Sequence, residues 1–140
     1  MTFDDLPHDW DSHPLTDASL RCDVVDLFVK DADRLRGGLG VLLCDADGML
    51  LQPIMIEGMN AHANEPDIRA TLAFLQHLQA DGTLTGVLAL ARPRGSHDDD
   101  VARFWARIAA DECQQAAIGL LGFYIATPEG VGEVSLAQAA

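Results

Sequence analysis

The segment Val87–Ala126 constrains the fold more than any other part of the chain. It opens with the apolar run Val87-Leu88-Ala89-Leu90-Ala91, which Arg92-Pro93-Arg94-Gly95-Ser96-His97 interrupts. From Asp98 to Ala117 the apolar residues recur at helical spacing, and Ile118 to Ala126 is apolar again. Two short apolar runs joined by one helix form a β-α-β pattern. That pattern predicts two neighbouring parallel strands with a right-handed crossover. The loop after the first strand is then the place where a ligand would sit.

The remaining elements follow from periodicity and turn chemistry. Thr16 or Ser19 is a suitable N-cap for a first helix, with Asp17 favourable to its dipole. Leu20, Val24, Leu27, Phe28 and Leu35 share one face of that helix. Gly37-Gly38 stops it by permitting positive φ. Leu39 to Cys44 reads as a strand, Asp45-Ala46-Asp47-Gly48 as a tight turn, and Met49 to Ile56 as the return strand. Both strands are nearly continuous in apolar residues, which predicts a sheet covered on both faces. Pro53 marks an edge or a bulge. After the loop 57–66, a helix is expected over 67–80 with Ile68, Leu72, Leu75 and Leu78 inward, ended by Asp81-Gly82. Thr127-Pro128-Glu129-Gly130 turns the chain into a short last strand over 131–136.

The predicted fold class is therefore α/β (mixed α+β), a single mixed sheet of element order α-β-β-α-β-α-β-β with helices packed on it. The expected organisation is an acidic, partly mobile arm over 1–16, one globular domain over 17–136 and a tail over 137–140. A hydrophobic share of 49% supports a core in a chain of 140 residues.

Charge narrows the function classes. The formal net charge is −13, with nine basic residues against 22 acidic ones. Such a field repels nucleic-acid phosphates and anionic membranes, so no nucleic acid and no membrane is expected as a partner. No apolar run approaches the ~20 residues of a membrane helix. Met1-Thr2-Phe3-Asp4-Asp5 has neither the positive nor the apolar region of a secretory signal, so the cytoplasm is the expected compartment. Lys30 is the only lysine, and this arginine bias beside many Ala and Asp residues is the usage of a GC-rich, bacterial genome. Cys22, Cys44 and Cys113 are odd in number and contain no C-x-x-C, which points to small buried thiols.

No catalytic constellation emerges. His8, His13, His62 and His77 show no paired metal spacing, and Ser96 and Ser135 lack a G-x-S-x-G context. Gly37-Gly38-Leu39-Gly40 precedes a strand and is no dinucleotide loop. His97-Asp98-Asp99-Asp100 reads as an acid-rich helix start, because consecutive helical side chains splay by about 100°. Arg103, Arg107 and Asp111 form an i, i+4 ladder, with Asp99 one turn before Arg103. With Arg92 and Arg94 from the loop, Arg103 and Arg107 make four arginines near one helix end, a candidate ligand-binding set for an anionic small molecule. No metal, cofactor or catalytic residue is assigned.

The order of hairpin, helix, apolar strand, Pro-Gly loop, helix, Gly-Leu-Leu strand and Gly turn, over Val41 to Leu136, resembles the JAMM/MPN fold and its RadC-like bacterial members. That family holds zinc with a His-x-His-Pro loop and a following acidic residue. Aligning the proline on Pro93 puts Leu90 and Arg92 at the histidine positions, Gly95 at the following glycine, and one of Asp98, Asp99 or Asp100 at the acidic ligand. The upstream catalytic glutamate has no match. The resemblance thus implies a metal-free, scaffold-like member. The chain is also similar to small acidic actinobacterial proteins. A roadblock-type domain shares the opening helix and Asp-Gly hairpin and often forms dimers, but it expects strands where this chain has the Asp98 helix. The function expected from the sequence is a non-catalytic protein-interaction or regulatory domain, as a homodimer or with a protein partner. The alternative is binding of an anionic metabolite, or an enzymatic domain, using the Arg92/Arg94 loop.

Overall fold

The computed structural model describes residues 10–78 and 83–136. The start of the expected arm (1–9, with Phe3 and Leu6), the Asp81-Gly82 helix stop and the tail over 137–140 lie outside the described residues. The chain forms α1 (Ala18–Phe28), α2 (Asp31–Arg36), β1 (Gly38–Cys44), β2 (Leu50–Glu57), α3 (Glu65–Leu72), β3 (Leu84–Ala91), α4 (Asp100–Gln115), β4 (Ile118–Thr127) and β5 (Gly130–Val134). One five-stranded sheet has the order β2-β1-β3-β4-β5. β3 and β4 are adjacent and parallel, as the β-α-β pattern predicts, and every other pair is antiparallel.

The first helix departs from expectation. Its cap is Asp17, whose Oδ1 accepts from the amides of Ser19 at 2.9 Å and Leu20 at 3.1 Å. It breaks at Val29, which is extended and buried, so α1 and α2 replace the single expected helix. The break lets Arg34 fold back and donate to the carbonyls of Val29 (3.0 Å), Asp26 (3.1 Å) and Thr127 (3.1 Å). It also turns Leu35 outward, 65% exposed rather than inward. Gly37, at φ +89, ends α2 as expected.

The hairpin turn is held by Asp45, whose Oδ1 accepts from the amides of Asp47 and Met49, with Gly48 at positive φ. β1 is buried throughout, but β2 is an edge strand and half open, which corrects the expectation that both strands are covered on both faces. The register shift opposite Leu43/Cys44 leaves Leu51 as the extra residue, and it is 59% exposed. Pro53 lies on this edge, where a missing amide hydrogen costs no ladder bond.

α3 starts at Glu65 behind the Asn64 cap and ends at Leu72, well short of residue 80. A 3-10 turn, Ala73–His77, follows it. Ile68, Leu72 and Leu75 are buried as expected.

Alternation along the strands builds two cores. Leu39, Val41, Leu88, Leu90, Phe123 and Ile125 face α3 and α4, where Trp105 and Ile108 fill the centre. Leu42, Val87, Ala89, Tyr124 and Ala126 face α1, joined by Val24, Val25, Val29 and Leu15. The amide of Leu15 donates to Gly48, so the chain before α1 lies against the hairpin.

Candidate functional site

Because β3 and β4 are parallel, their C-terminal ends share one rim of the sheet. β1 runs antiparallel to both β3 and β2, so its start and the end of β2 reach the same rim. The loop 92–99 leaves β3 there. The Arg92 amide extends the strand pairing by donating to the Ala126 carbonyl at 3.0 Å.

The Arg92 side chain is committed to the loop itself. It is 5% exposed, and Nη1 donates to both carboxylate oxygens of Asp99, at 2.9 and 3.1 Å. Asp99 also caps α4, accepting from the amides of Ala102 (2.8 Å) and Ser96 (3.3 Å). Burial pushes the Asp99 carboxyl up, but the two amides and the Arg92 guanidinium outweigh it and hold the group below the ordinary carboxylate range. Gly95 has φ +109, and a Cβ there would lie 2.4 Å from Cζ of Arg92. Only glycine lets the loop close around that guanidinium.

Arg94 has the opposite fate. Pro93 carries the chain outward, and Arg94 is exposed with no ion pair among the described residues. It lines a cavity of about 330 Å³ between the loop 92–94, the end of α2 and the loop 58–62. Arg36 and His62 line the same cavity, with Met59, Ala61, Ala91 and Pro93 as its apolar walls. Among the described residues no carboxylate lines it, in a chain with 22 acidic residues. The loop 58–62 is fixed from two sides. Trp105 Nε1 donates to the Ala61 carbonyl at 2.7 Å, and the Gly58 amide donates to Gly37 at 3.0 Å.

Of the four arginines read as one set, only Arg92 and Arg94 line this cavity. Arg103 pairs with Asp100 and donates to the Asp98 carbonyl, on the exposed start of α4. Arg107 pairs with Glu65 at 3.3 Å and lies 5.6 Å over the Phe104 ring. Asp111 pairs with Arg69 of α3 rather than with Arg107, so the expected i, i+4 ladder is replaced by ion pairs that join α3 to α4. Arg36, His62 and the loop 58–62 were missed. Their signal was the topology: the rim gathers them only once β1 is known to lie beside β3.

A second cavity of about 240 Å³ lies beside the same loop, lined by Ser96, His97, Thr127 and Glu129. The His97 ring packs on Gly132, where a Cβ would lie 2.5 Å from Nδ1. Ser96 Oγ donates to Asp98, not to a histidine. Among the described residues, no three His, Cys, Asp or Glu side chains are grouped to hold a metal ion. Leu90, at a histidine position of the JAMM-type alignment, is fully buried in the core. Burial pushes the thiols of Cys44 and Cys113 up, to about 11 and about 12, and raises that of Cys22. None of the three is a thiolate at neutral pH. Among the described residues no helix is long and apolar enough to cross a membrane.

No protein-family model, curated protein or solved structure matches this chain.

Proposed function

We propose that this domain binds a small anionic molecule in the cavity between residues 58–62 and 92–94, as a non-catalytic, metal-free cytoplasmic module. One observation carries the reading: among the described residues, Arg36 and Arg94 have no ion pair and line one cavity without a carboxylate, in a chain with net charge −13. A local positive site in a negative field selects for ligands small enough to reach it. The long-range charge repels nucleic acid and anionic bilayers.

Thermal-shift measurements with a panel of small anions, monocarboxylates and inorganic phosphate among them, test it. A ligand at 100 times its dissociation constant adds about 2.7 kcal/mol, a rise of several degrees for a domain of this size. Arg36→Ala and Arg94→Ala together are expected to abolish the rise. A rise that survives both substitutions rejects this cavity as the site.

A second reading, a homodimer or protein-partner domain, is favoured by Leu51 and Leu35, which are 59% and 65% exposed. Light scattering at high micromolar concentration reads its self-association, and a strict monomer rejects the homodimer.

A further inference from the structure

We infer that the ligand of this cavity is a small carboxylate with an apolar body, not a phosphate or phosphate ester. The inference rests on the anion-binding reading and names its ligand class. Phosphate sites gather several convergent donors, most often free backbone amides at a helix N-terminus or in a nest. Four of the amides lining this cavity are already used. Gly37 donates to Asp33 (2.8 Å), Gly58 to Gly37 (3.0 Å) and Arg92 to Ala126 (3.0 Å), and Pro93 has no amide hydrogen. The His62 amide donates to Asn60 Oδ1 at 2.8 Å. The nearby helix end, that of α4, is capped by Asp99 and carries Asp98 and Asp100 beside it, which repel a dianion.

The Arg92 guanidinium is neutralised by Asp99, 2.9 Å away. Two guanidinium forks remain, on Arg36 and Arg94. A fork matches the two oxygens of a carboxylate, and two forks suffice for one. The net charge of −13 also opposes a dianion more than a monoanion. The rest of the wall is apolar: Met59, Ala61, Ala91 and Pro93. Met59 offers an adaptable thioether surface. A volume of about 330 Å³ lies at the small end of ligand pockets, enough for one ring or a short chain behind the carboxylate.

Four probes separate head group from body: phenylacetate, acetate, phenyl phosphate and inorganic phosphate. Each is titrated into the full chain and followed by amide shifts in two-dimensional NMR. Phenylacetate is expected to move Gly58, Asn60, Ala61 and Arg94. It should bind at least tenfold tighter than acetate and at least tenfold tighter than phenyl phosphate. Arg94→Ala should remove the effect, and Arg94→Lys, which keeps the charge but loses the fork, should weaken it severalfold. Phenyl phosphate or inorganic phosphate binding at those amides as tightly as phenylacetate overturns the carboxylate assignment and leaves the anion reading standing. Acetate binding as tightly overturns the apolar body. Silence of those amides with all four probes overturns the inference and the anion reading together.

Discussion

The face of the sheet under α3 and α4 and the face under α1 and α2 are closed in different ways. Under α3 and α4 the contact is a broad apolar core, with Trp105, Ile108, Ile68 and Leu72 all fully buried. Under α1 and α2 the core is smaller, and two buried arginines cross it. Arg21 donates from Nε to the Tyr124 hydroxyl at 3.0 Å and from Nη1 to the carbonyls of Leu15 and Thr16. Arg34 reaches three carbonyls and pairs with Asp26 at 2.9 Å. Apolar burial is non-directional and tolerates exchange of similar volumes. A buried guanidinium fixes its partners in place, and its loss leaves them desolvated. The first face supplies bulk stability, whereas the second supplies position. The candidate cavity draws on both, since Trp105 tethers the loop 58–62 while Arg36 comes from the end of α2.

The largest effect is expected from Trp105→Ala, about 3–5 kcal/mol by loss of a large core side chain. Chemical denaturation reads that loss. Hydrogen exchange at His62 and Ala63 should speed up with it, because the anchor of their loop is gone. Next comes Arg34→Met, about 3 kcal/mol, which removes four hydrogen bonds while keeping volume. A change below about 1 kcal/mol would break the contrast and make the α1/α2 face an ordinary apolar contact.

The smallest effect is expected from Asp99→Asn, about 1 kcal/mol at neutral pH. Asparagine still caps α4, and the Asp99 side chain is 33% exposed to screening water. Its sign with pH is fixed. The native carboxyl lies below its unfolded value of about 3.9, so its contribution is present above that value. It is lost as pH falls through the lower native value. Melting curves from pH 7 to pH 2 should show wild type and Asp99→Asn converging in acid. A constant gap would show that charge plays no part in the clasp.

The elements whose burial follows a strict period were readable in the sequence. The β3-α4-β4 unit, the Asp45–Gly48 turn and the Gly37 stop all follow from apolar spacing and positive φ. The break at Val29 was not readable, because it goes with a contact distant in sequence, Arg34 donating to Thr127, 93 positions away. α3 gives way to a 3-10 turn at Ala73, a change that the apolar spacing of Leu72, Leu75 and Leu78 does not signal. For the site, Arg92 and Arg94 were visible as a pair beside a β-α-β loop. Their different fates were not, since these depend on Asp99 and Gly95 closing around one of them. Arg103 and Arg107 share a sequence neighbourhood with the loop, but α4 aims them at Asp100 and Glu65.

Only a proline separates the guanidinium that locks the 92–99 loop from the one that faces outward. Substitutions at position 94 therefore change the chemistry offered at this rim without loosening the lock, whereas substitutions at 92 or 95 do both at once. The chain can explore new binding preferences one residue from an anchor on which its fold depends.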